Sequence, residues 1–170
     1  MKKIYLSVVC LLISIPLIAQ LYVEPEKEVE CSVFLAKEGR GRAQQGLEIW
    51  DDYIFSCEDG GHVNIYDFKS ADPKPVAGFE LASSHPDNHV NNVCFGVETK
   101  RGASFPLLYI TNGKVGSELE WLCFVESITR RGKRFSSEIA QTIELDGSKW
   151  AEKGYVSIFG APSWLVDRER

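Results

Sequence analysis

Between Gln45 and Ala82 the chain alternates apolar and polar residues in short runs, each closed by turn-forming residues. The runs are "QGLEIW", "YIFSCE", "HVNIYDF" and "PVAGFELA". They are rich in β-branched and aromatic residues and too short to be helices, so each predicts a strand. Asp51-Asp52 and Asp59-Gly60-Gly61 separate the first three. The Asp-Gly-Gly step supplies the positive backbone φ that a tight hairpin needs. After the polar "KSADPK" turn comes the fourth run, and four successive antiparallel strands make a β-meander. In "HVNIYDF", Val63 and Ile65 share one face while Asn64, Tyr66 and Phe68 share the other, the alternation of a strand packed between neighbouring sheets. Asp67, where the run ends, is placed to accept hydrogen bonds from the backbone of the next turn.

The pattern then recurs with longer loops: "HVNNVCFGV", "FPLLYIT", "LEWLCFVESI" and "FSSEIAQTIEL", joined by "ETKRGAS", "NGKVGSE" and "TRRGKR". A third start reads "GYVSIFGAPSWLVD". Upstream, "YVEPEKEVE" reads as a charged tether and "CSVFLAKEG" as one short strand. "SKWAEKG" is too short and too glycine-bounded for a helix. From Gln45 to Asn92 is the distance between comparable first strands, which is the period of four-stranded propeller blades. The "VNIYD" run resembles the third strand of a WD40-like or NHL-like blade of a secreted bacterial β-propeller. The resemblance covers residues 45–145 as two units and 155–167 as part of a third. It implies an all-β fold of antiparallel four-stranded meanders arranged as propeller blades. A closed ring needs at least about four blades, so the expected propeller is incomplete, with residues 31–39 as a ring-closing strand and the chain as a piece of a longer one. A small β-sandwich or barrel would use the same strands.

The first twenty residues, "MKKIYLSVVCLLISIPLIAQ", have the charged, apolar, cleavable order of a secretory signal. The expected organisation is therefore a signal over 1–20, a tether and ring-closing strand over 21–44, and blades over 45–170. Export to the periplasm or beyond follows, with anchoring by an uncleaved signal as the alternative and no stable membrane span after cleavage. Removing Lys2 and Lys3 leaves 17 basic against 24 acidic residues, a formal charge of 17 − 24 = −7, which argues against a nucleic-acid partner. Cys31, Cys57, Cys94 and Cys123 remain, with no C-x-x-C spacing. Cys94 and Cys123 sit among apolar neighbours, so buried free thiols are expected and a metal site is not.

The densest polar cluster is "SSHPDNHVNN", from which His85, Asp87, His89, Asn91 and Asn92 are the candidate binding residues. His85 and His89 stand four apart around a carboxylate, but Pro86 and the flanking strands exclude the helix that would aim both imidazoles at one metal. In a connection between blades, Asn and Asp satisfy turn backbone and His89 bonds across to a neighbouring blade. "TRRGKRF" reads as a solvated hairpin tip, with a phosphate or acidic-polysaccharide contact as the functional counterpart. Asp51, Asp52, Glu58 and Asp59 fall where turns favour acids, without the spaced oxygen ligands of a calcium loop. Trp50, Trp121, Trp150 and Trp164 read as core rather than as a sugar platform. No G-x-S-x-G, H-E-x-x-H or phosphate-loop pattern occurs, and no cofactor or catalytic residue is assigned. The functional expectation is an exported binding or scaffold module for a protein or glycan partner. The alternative is part of a hydrolase or lyase with its site at the propeller mouth.

Overall fold

The computed structural model describes residues 42–72, 74–112, 116–145, 152–153 and 164–167. The signal, the tether up to residue 41, the run at 31–39, Cys31, Trp150, the segment at 146–151 and the third start over 154–163 lie outside the described residues. Eight strands and no helix occur among those described: β1 (Gln44–Trp50), β2 (Tyr53–Glu58), β3 (His62–Asp67), β4 (Ala77–Glu80), β5 (Asn92–Phe95), β6 (Leu108–Thr111), β7 (Leu122–Arg131) and β8 (Arg134–Glu144). They form two antiparallel four-stranded sheets, ordered β1-β2-β3-β4 and β5-β6-β7-β8, so each expected meander is present.

Turn chemistry places the strand ends. Asp51 takes a φ of 50° in the β1–β2 turn, a conformation that Asp tolerates better than most side chains. Gly60 and Gly61 take φ of 87° and 93° between β2 and β3. At the end of β3 the Lys69 N–H donates to Asp67 Oδ1 at 2.9 Å, the turn bond its sequence position suggests. Phe68 lies beyond the strand and is exposed, so it does not continue the Asn64–Tyr66 face. The second meander departs further from its sequence runs. Strands β5 and β6 shorten to four residues each, while β7 and β8 pair all the way to Arg131 and Arg134, leaving Gly132-Lys133 as the turn. The basic "TRRGKR" stretch is therefore largely strand.

The two sheets stack face to face, with β1 against β5 and β4 against β8. Between them lies one core containing Phe55, Val63, Ile65, Phe79, Val93, Phe95, Phe105, Leu108, Ile110, Phe124, Ile128 and Phe135. At the β1/β5 side the approach is close: a Cβ on Gly46 would lie 3.0 Å from the Val90 carbonyl oxygen and 3.1 Å from the Val93 methyls. At the β4/β8 side the Phe79 and Phe135 rings stack with centroids 6.1 Å apart. Phe55, Phe95 and Phe105 pack edge-on or offset between these margins.

Both faces of the central strands are buried. Ile54, Ser56, Glu58, Asn64 and Tyr66 point away from the shared core and are at most 5% exposed. Glu58 is thus no turn acid: it ends β2 fully buried, and Asn64 Nδ2 donates to its Oε1 at 2.9 Å. The remote face of the second sheet also buries Thr111, Cys123, Val125 and Ser127. There the Trp164 ring packs edge-to-face on Tyr109 at 5.5 Å, and the Trp164 backbone N–H donates to Asn92 Oδ1 at 2.9 Å.

Candidate functional site

Strand direction alternates through each meander, so the β2–β3 turn, the β4–β5 connection (residues 81–91) and the β6–β7 loop share one end of the sheets. All three histidines of the chain gather there. His62 opens β3 opposite Glu80 of β4, and the register brings His62 Nδ1 within 3.0 Å of Glu80 Oε1. His89, in the connection, bonds through Nδ1 to Asp59 Oδ1 of the β2–β3 turn. Its backbone N–H donates to Asn112 Oδ1, just past β6, at 2.9 Å. His89 is therefore held by both sheets, through its ring by one and through its backbone by the other.

The connection is anchored throughout. His85 N–H donates to the Gly60 carbonyl oxygen, and the Asn88 carbonyl accepts from Gly60 N–H at 2.7 Å. Asn88, buried, donates to the Ser83 carbonyl and hydroxyl oxygens while accepting from Val90 N–H. Its upstream end is fixed by Glu126, a fully buried residue on the core-facing side of β7 whose two carboxylate oxygens accept the Ala82 and Ser83 N–H groups at 2.9 and 2.8 Å. At its downstream end Val90 has a φ of 41°, an unfavourable setting for a β-branched residue. Such a conformation persists where the surrounding bonds over-determine it, and here they do.

Two adjoining hollows open on this end. One, of about 350 Å³, is lined by Arg42, Asp59, Pro86 and His89. The smaller, of about 110 Å³, adds Gly60, His62, Glu80, Ser84 and His85. Arg42 spans both walls and donates to the Asp59 carbonyl oxygen at 3.2 Å. Ser84 Oγ donates to the Gly60 carbonyl oxygen at 2.7 Å and lies 3.2 Å from Glu80 Oε2. The carboxylate therefore stands between the serine and the His62 imidazole, which is not the hydroxyl-to-imidazole contact that activates a nucleophile. Among the described residues no group of three or more His, Cys, Asp or Glu is arranged to hold a metal ion.

Of the residues singled out by sequence, His85 and His89 line these hollows. Asp87 lies beside them, half-buried, with its N–H on His85 Nδ1 at 3.1 Å. Asn91 and Asn92 turn elsewhere: Asn91 N–H joins the ladder to Thr111, and Asn92 accepts from Trp164. Arg42, Asp59, His62, Glu80 and Ser84 complete the cleft and were not legible as members of it. The one available signal was the β3–β4 register, which sets His62 opposite Glu80 once that hairpin is drawn.

The Cys57 and Cys123 thiols are poor nucleophiles. Burial, reinforced by the Glu126 charge, pushes Cys57 up to about 12, and burial raises Cys123 against the opposing pull of a hydrogen bond from Asn112. Cys57, Cys94 and Cys123 are all free. Tyr109 is also raised, by burial and then by the neighbouring Glu98 carboxylate. No helix among the described residues is long and apolar enough to cross a membrane. Comparison with protein-family models, with curated proteins and with solved structures returned no match.

Proposed function

We propose that this chain is an exported binding module whose two meanders are successive propeller-like blades, and that the cleft around Arg42, Asp59 and His89 receives a protein or glycan partner. Stacking of first strand on first and fourth on fourth, with both faces of the central strands buried, supports the blade reading. The observation that carries the binding reading is the state of the cleft's polar groups. His62 and His89 each face a carboxylate, His85 accepts from a turn N–H, and Ser84 donates to backbone. A rigid, internally bonded polar surface suits recognition, because a preformed surface loses little ordering entropy when a partner docks.

The test is a panel of glycans and extracellular proteins, with binding and bond cleavage measured on the same samples. Saturable binding without product, weakened when Asp59→Asn loosens the His89 ring, is the expected result. The hydrolase or lyase reading has one specific support, two imidazole–carboxylate pairs on one cleft. Product formation that disappears in His62→Ala or His89→Ala would replace the binding reading with that one.

A further inference from the structure

The far end of the second sheet carries a surface unrelated to the cleft. Strands β7 and β8 form a long hairpin that runs past the four-residue β6, which pairs only with Cys123–Glu126; beyond it Ser104 flanks β7, its N–H donating to the Ile128 carbonyl oxygen and its hydroxyl accepting from Arg130 N–H. On the face away from the shared core the register stacks three rungs, the last of which is buried at Ser127. Arg131 lies opposite Arg134, Thr129 opposite Ser136, and Ser127 opposite Glu138. These residues border a groove of about 620 Å³.

The charges of the rungs are not balanced from within. Two arginines directly opposed on neighbouring strands repel each other. Among the described residues neither Arg131, Lys133 nor Arg134 has an acidic partner. Glu138, the one carboxylate among the described residues lining the groove, is already answered by Lys100 Nζ at 2.8 Å. Arg130, the fourth cation of the tip, is committed elsewhere, with its guanidinium over the Tyr53 and Phe135 rings. An acidic chain thus presents a local cationic fork followed by a rung of hydroxyls.

We propose that this hairpin face binds an anionic polysaccharide, its carboxylate or sulfate groups on the Arg131/Arg134 forks and its sugar hydroxyls on Thr129 and Ser136. Guanidinium forks match planar and tetrahedral oxyanions through paired charge-assisted bonds. The hydroxyl rung distinguishes a sugar chain from an acidic polypeptide, which offers carboxylates but no run of hydroxyls to pair.

The experiment is calorimetric titration of the full chain with polygalacturonate, dextran sulfate, neutral dextran and poly-glutamate. Binding of either anionic polysaccharide, screened by salt and weakened about tenfold or more in Arg131→Ala/Arg134→Ala, is expected. Thr129→Val/Ser136→Ala should weaken polysaccharide binding several-fold while leaving any poly-glutamate binding unchanged. Polygalacturonate against dextran sulfate distinguishes carboxylate from sulfate. No binding by the parent chain, equal binding of neutral dextran, poly-glutamate bound as tightly as the polysaccharides, or full affinity in the double arginine variant would each overturn the proposal. Asp59→Asn and His89→Ala lie at the opposite end and should leave this binding unchanged, which separates it from the cleft.

Discussion

Glu126 sits where a strand reading places an apolar residue, inward on β7 between Phe124 and Ile128. Its carboxylate closes the exit of the chain from the first sheet by accepting two backbone N–H groups, so Glu126→Ala leaves the buried Ser83 N–H unmet, while Ala82 N–H keeps Ser137 Oγ at 2.8 Å. That variant should lose about 1–3 kcal/mol of stability in urea unfolding, and Glu126→Gln should lose less because its amide oxygen still accepts. Nothing in the alternation announces this, because periodicity reports which face a residue takes and not which distant N–H will need it. Glu58 shows the same limit: an acid beside Asp-Gly-Gly reads as a turn residue, yet it is fully buried because the strand's second face is covered too. Cys57 provides a pH test. The unfolded thiol ionises near its ordinary value of 9.0, whereas the folded one is raised to about 12, so above pH 9 the unfolded state releases a proton that the native state keeps. Stability contributed by this group should therefore be complete below pH 9 and fall as pH rises toward 12, by about 1 kcal/mol per unit. Cys57→Ala should flatten that slope in chemical denaturation.

At the scale of the elements, existence and order of the eight strands were legible because both rest on local chemistry, alternation within runs and Asp or Gly at turns. Lengths were less so. Leu108 rather than Phe105 begins β6, since Pro106 has no N–H to give a ladder. The β7–β8 ladder runs through three basic positions, Arg130, Arg131 and Arg134, because Gly132, at φ 63°, allows a two-residue turn that sequence charge alone disguised as a loop. The cleft was half legible. His85 and His89 share one polar stretch, whereas Asp59, His62 and Glu80 arrive from three other places in the chain through pairing and stacking. The His89 junction should couple the two sheets. A double-mutant cycle over Asp59→Ala and His89→Ala should give an interaction of about 1 kcal/mol, since both side chains remain a third exposed and solvent screens the pair. Asn112→Ala should cost about 1–3 kcal/mol, because it strands the His89 N–H, while the Leu119 carbonyl loses the amide donor but still accepts from Leu122 N–H.

At the scale of the whole molecule, the two four-stranded meanders stack around one core that runs from Gly46 at the β1/β5 margin to Phe79 and Phe135 at the β4/β8 margin. Gly46→Ala should force β1 and β5 apart and lower stability by about 1–3 kcal/mol, with the sheets otherwise retained by circular dichroism. The proposal of successive blades depends on the stacking order, because a sandwich folded the other way would set the first strand of one sheet against the last of the other. Nuclear Overhauser contacts measured on the isotope-labelled chain decide this most directly. Contacts from Gly46 Hα to the Val93 methyls, together with contacts between the Phe79 and Phe135 rings, are the result this account predicts. Contacts from Gly46 to β8, with Phe79 against β5, would contradict it.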